Sequence, residues 1–111
     1  MESIRQSKVA RLLQKELAEI FRSESKSLFN GAFISVTQIR VSPDLGFAKV
    51  YLSIMLPKET QKVLEQVKSQ HYAVKKILFP KIKNQFKVMP ELAFYIDDSL
   101  DYAEKIDQLL K

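Results

Sequence analysis

Lys76, Lys83 and Lys87 fall on one line with Tyr72 and Phe79 when residues 72–87 are wound as a helix, the steps being four, three, four and four. Amines at that spacing can meet phosphates, and a ring set among them can stack on a base or a ribose, which is the chemistry of nucleic-acid recognition. The stretch around them, KKILFPKIKNQFK from Lys75 to Lys87, holds five lysines, Lys75 and Lys81 among them, and no acid. Val74, Ile77, Leu78 and Ile82 take much of the remaining circumference and supply a core side. The same stripe also suits a solvated lysine face with Tyr72 and Phe79 packed on a neighbouring helix. A second basic stripe lies near the N-terminus, where Lys8, Arg11, Lys15 and Arg22 recur at steps of three, four and seven, broken by Glu19.

Other chemistries fail early. His71 is the single histidine and has no serine or cysteine partner at a motif spacing. The absence of cysteine excludes disulfides, thiolate metal sites and thiol catalysis. Gly31 and Gly46 are the only glycines, so no glycine-rich phosphate loop can form. Asp97 and Asp98 have the oxygen chemistry for a hard cation, but they immediately precede a predicted helix, where carboxylates cap amides and meet the positive end of the dipole. No catalytic residue, metal, cofactor or small-molecule substrate is expected, and the chain does not read as an enzyme. Nor does it read as a membrane protein: no apolar run is long enough to cross a bilayer, and MESIRQSKVARLL lacks a signal core. A surface-lying amphipathic helix would need bulky apolar residues to spare, and here the core requires them. A cytoplasmic location is the expectation.

The elements that must position these side chains follow from the hydrophobic pattern. The 111 residues suit one domain, 1–111, with a modest core, and low glycine and proline contents favour long regular elements. Ser3 with Gln6 forms a capping box, and Val9, Leu12, Leu13, Leu17, Ile20 and Phe21 continue a helix to about residue 22. SESKSLFNG reads as a loop. FISVTQIRV is a strand whose alternation slips from Ile34 and Val36 to Ile39 and Val41, which predicts a bulge. A turn centred on Pro43 and Asp44 leads to FAKVYLSIM, with Ala48, Val50, Leu52 and Ile54 on one face and Lys49, Tyr51 and Ser53 on the other. A helix through ETQKVLEQVKSQ and another through HYAVKKILFPKIKNQF follow, with a kink near residues 69–72 and a bend or restart at Pro80. LAFYI is a third strand, and Asp98 or Ser99 caps a terminal helix. The order α-β-β-α-α-β-α places three strands in one sheet with helices on one face, an α+β architecture. Five of the 18 basic side chains lie between Lys75 and Lys87, and residues 58–90 carry a net +6 against −4 for residues 91–111. That asymmetry describes an oriented field, for which nucleic acid is a natural partner.

Three stretches together, RQSKVARLLQKELAEIF, ISVTQIRVSPDLGFAKVYLS and KVMPELAFYIDDSLDYAEKIDQLLK, closely resemble the ribosome-binding factor A family over essentially the whole chain. The VSPDLxxAKVY turn combined with PELxFxxDxS carries the resemblance. It implies a type II K-homology-like domain and a non-enzymatic factor, which binds the free 30S small ribosomal subunit and its 16S ribosomal RNA. It further implies a role in late 30S maturation and processing of that RNA. The candidate contacts are Lys8, Arg11, Lys15, Tyr72, Lys75, Lys76, Phe79, Lys81, Lys83 and Lys87, on a monomer. The alternative is a protein-interaction module whose basic face meets an acidic partner. One departure stands out. Ordinary K-homology domains clamp RNA with a GxxG loop, and this family usually carries Ala-x-Gly at its helix–helix junction. Here the junction reads KSQHYAVKK, without glycine.

Overall fold

The computed structural model describes residues 3–55, 59–85 and 89–97. Helix α1 runs Ile4–Ser23 and opens with the predicted capping box: the Gln6 amide donates to Ser3 Oγ (3.1 Å) and the Ser3 amide donates to Gln6 Oε1 (2.7 Å). Its apolar line of Val9, Leu13, Leu17, Ile20 and Phe21 is buried. The stretch expected as a loop contains one helical turn, α2, at Ser25–Leu28. The cause is tertiary. Phe29 is fully buried against Phe21, with ring centroids 5.2 Å apart, and the Ser25 hydroxyl donates to the Ala32 carbonyl, so the chain must coil to deliver the ring. Asn30 and Gly31, at φ 52° and 81°, then turn it toward the sheet.

Strands β1 (Ile34–Val41), β2 (Phe47–Ile54) and β3 (Glu91–Ile96) lie side by side in that order, β1 antiparallel and β3 parallel to β2. The turn at Pro43 and Asp44 closes with the Leu45 amide donating to the Ser42 carbonyl at 2.9 Å. The Ser42 hydroxyl, then the Gly46 amide, bond the Asp44 carboxylate and hold its pKa below the ordinary value. The register shift between Val36 and Gln38 is the predicted bulge, and it lets Ile34, Val36, Ile39 and Val41 all face the core. Thr37, at the bulge, donates its hydroxyl to the buried Asp97 carboxylate. Because β2 and β3 are parallel, the chain must cross over between them, and the crossover is made of α3 (Thr60–Ser69) and α4 (His71–Ile82).

The predicted kink is Gln70, which ends α3 and starts α4 at φ −94°, ψ 14°. This conformation is open to any L residue. The Gln70 amide still reaches the Gln66 carbonyl at 3.0 Å, and the Gln70 carbonyl accepts from the Val74 amide at 3.0 Å. Hence the junction turns without glycine. Of the bend or restart expected at Pro80, the restart does not occur: α4 continues through it to Ile82. Pro80 and Lys76 are both exposed, and the bond that proline denies the Lys76 carbonyl falls in the last turn, with only two more residues of helix to run.

Helices α1, α3 and α4 cover one sheet face. Ala48, Val50, Leu52 and Phe94 are buried from the sheet side and Leu13, Leu17, Val74 and Leu78 from the helical side. Ile77, expected on the core side of its helix, and Ile96 at the end of β3 are only partly buried at the core's margin. The expected terminal helix lies outside the described residues. No helix among them is long and apolar enough to cross a membrane.

Candidate nucleic-acid interface

The candidate surface is carried by α1 and α4, which pack against each other on the sheet. At about 100° per residue, Lys8, Arg11 and Lys15 stand opposite the buried line of Val9, Leu13 and Leu17, and all three are exposed. On α4 the buried line is Val74, Leu78 and Ile82, and Tyr72, Lys76, Phe79 and Lys83 project away from it. Tyr72 is 80% exposed and Phe79 49%, so neither ring is packed under a neighbouring helix. The α4 stripe lies across its helix from Lys81, whose amine meets Glu16 of α1, so it points away from α1.

The two remaining lysines of α4 sit on its flanks. Lys75 is 3.7 Å from Glu91 of β3, and Lys81 is 3.9 Å from Glu16 of α1. They brace the helix between its neighbours while adding to the local positive field. Among the described residues the ion pairs involve Arg22, Lys75 and Lys81, so Lys8, Arg11, Lys15, Lys76 and Lys83 have no acidic partner. Arg22, last in the first stripe, is tied to Glu19. Lys87 lies outside the described residues. His71 is the first residue of α4, at the joint with α3, its ring against Tyr72 at 5.1 Å.

Among the described residues no three His, Asp or Glu side chains gather as metal ligands, and the buried Asp97 is bonded to Thr37. What the surface can do is present fixed cations and two exposed rings to a polyanion.

The sequence reading missed a grouping on the opposite side. Phe47, Lys49 and Tyr51 alternate out of the core along β2, and the sheet register sets Arg40 opposite Lys49 and Tyr95 opposite Tyr51. The alternation in FAKVYLSIM was the available signal. The cross-strand neighbours could not be read locally, because β3 is some forty residues away in the chain.

Comparison with known proteins agrees with this architecture. The family model for ribosome-binding factor A matches residues 5–110. Ribosome-binding factor A of Cytophaga hutchinsonii is 48% identical over 110 residues, covering 99% of this chain and 83% of that protein. Its counterpart in Flavobacterium psychrophilum is 43% identical over 111 residues, with coverages of 99% and 85%. The crystal structure of ribosome-binding factor A from Thermus thermophilus superposes with a TM-score of 0.69 at 18% identity, covering 82% of this chain and 94% of that one. At that identity the likeness speaks for the fold, which is K-homology-like.

Proposed function

The chain belongs to the ribosome-binding factor A family, and on that premise we propose that it is a non-enzymatic ribosome assembly factor. In this reading it binds the free small ribosomal subunit through 16S RNA and assists late maturation of the subunit and processing of that RNA. It acts as a single cytoplasmic domain, a monomer, without cofactor. The contacts are Lys8, Arg11 and Lys15 of α1 with Tyr72, Lys76, Phe79 and Lys83 of α4. Lys87 extends the second stripe, and Lys75 and Lys81 add charge beside it.

The observation that carries this reading is that the neighbouring helices α1 and α4 each expose a basic stripe without acidic partners among the described residues. Cations fixed on packed helices match phosphates whose own spacing is fixed, as in folded RNA. A flexible strand must lose conformational freedom to fit them. With no GxxG clamp available, folded fragments of small-subunit RNA should outcompete short unstructured oligonucleotides at the same salt. A competition titration near physiological ionic strength tests this. Equal competition per nucleotide would mean that the domain is a single-strand clamp after all. Co-sedimentation with free small subunits, against an acidic protein as control, separates the RNA reading from the acidic-partner alternative.

A further inference from the structure

The open side of the sheet carries a compact set of rings and cations. Phe47 is 40% exposed and Tyr95 42%. The Tyr51 and Tyr95 rings lie 5.7 Å apart with planes 30° from parallel, forming one aromatic plate across β2 and β3. Next to this plate Arg40 and Lys49 are directly opposed across β1 and β2, both exposed. Like charges in that relation repel, and among the described residues neither has an acidic partner. The acid nearest in register, Glu91, reaches instead to Lys75 of α4 at 3.7 Å. The face is therefore aromatic and positive, with its own repulsion left for something else to relieve.

Resting on the reading that this chain binds RNA, we propose that the open sheet face is a second RNA contact that holds unpaired bases. Tyr51 and Tyr95 stack on the bases, and Arg40 and Lys49 meet the flanking phosphates. Bases in a duplex keep their faces inside the stack, so a flat aromatic plate selects nucleotides that are already unpaired. A second copy of the chain on this face would oppose Arg40 and Lys49 with their own counterparts, since a two-fold interface uses the same patch twice. A polyanion removes the repulsion instead. Folded RNA with an unpaired extension engages both sides of the domain, whereas an isolated strand gains the sheet alone.

The test titrates the full chain into a labelled RNA stem-loop, either blunt or extended by a single-stranded uridine tail. The tail should tighten binding by about tenfold, as stacking of one or two bases does. Tyr51→Leu with Tyr95→Leu should abolish that gain while leaving the blunt stem-loop affinity in place. Lys76→Gln with Lys83→Gln should weaken both RNAs alike and keep the ratio between them. Arg40→Gln with Lys49→Gln, which touches no core side chain, carries the same test if the tyrosine variant does not fold. In Tyr72→Phe with Tyr102→Phe the emission comes from Tyr51 and Tyr95 alone, and the tailed RNA should quench it. A tail gain that survives the sheet variants, an unquenched emission, or a change of oligomeric state in them overturns the inference and leaves the helical reading standing. If wild type binds neither RNA, the helical reading falls, and this one with it.

Discussion

Helices α1 and α4 carry the same charge pattern on unlike supports. The first is self-sufficient: Ser3 and Gln6 cap it, and the Gln6 side chain also donates to the Val41 carbonyl at 2.8 Å, pinning the helix start to the end of β1. Gln14 repeats the device one flank over, donating to the Val36 carbonyl at 3.1 Å. Helix α4 has no side-chain cap, begins at a kink and contains Pro80 in its last turn. It also leaves Tyr72 and Phe79 in water, whereas α1 exposes one large apolar side chain, Ile4, in its first turn. A basic outer stripe on α1 is what any stable amphipathic helix would show. On α4 Tyr72 and half of Phe79 lie outside the core, and that difference is why the proposed reading gives the stacking role to α4.

The largest effect should come from removing the floor that both helices share. Leu52 is fully buried on β2, and Leu52→Ala should cost about 2–5 kcal/mol in a denaturant titration, as buried leucine truncations do. A loss below about 0.5 kcal/mol would put Leu52 on the open face and reverse the strand phase. Gln6→Ala comes next and acts on α1 alone. It removes the half of the capping box in which the Ser3 amide donates to Gln6 Oε1 and leaves the Val41 carbonyl without that donor, for an expected loss of about 1–3 kcal/mol. Hydrogen exchange should quicken at the start of α1 while α4 keeps its protection. Faster exchange in both helices would show that α4 leans on α1 more than the comparison allows.

Binding sharpens the contrast in a different unit. Replacing Lys76, Lys83 and Lys87 with Gln should lower RNA affinity across sequences. It should also flatten the salt dependence by up to about 0.7–0.9 log units for each phosphate that is no longer neutralised. The matching triple on α1, Lys8, Arg11 and Lys15, should flatten it too, but without the loss of stacking that Tyr72→Ala and Phe79→Ala would cause on α4. Unchanged affinity and slope after the α4 triple would reduce those lysines to a solvated face.

How far this was legible depends on whether the cause was local. The capping box, the bulge and the inward phase of Leu52 each declare themselves within eight residues, through a motif or a period. The basic stripes were visible for the same reason, since helical spacing alone aligns them. Where a second segment decides the outcome, the sequence was mute. The turn at Ser25–Leu28 exists because Phe29 reaches Phe21, and Lys75 and Lys81 become braces only because Glu91 and Glu16 arrive from other elements. The restart expected as one outcome at Pro80 does not occur, because the cost of a proline depends on where in the helix it falls. With two residues left in the helix, the missing bond falls in the last turn and little helix remains to be interrupted.

The smallest effect belongs to the joint between α3 and α4, where the family's usual glycine is missing. Gln70 holds φ −94° and ψ 14°, a conformation that needs no glycine, and its amide and carbonyl are both bonded. Gln70→Gly should therefore destabilise slightly, by under about 1 kcal/mol, because glycine adds freedom to the unfolded chain and relieves nothing in the folded one. Gln70→Ala should be closer to neutral, since the backbone bonds remain and the wider set of unfolded conformations does not arise. The sign is the informative part. A backbone forced to positive φ would be relieved by glycine and strained by alanine, reversing the order of the two variants in the same thermal or denaturant titration. Stabilisation by Gln70→Gly would show that the kink is a strained left-handed turn, and α4 would then be held in place by its packing against that strain.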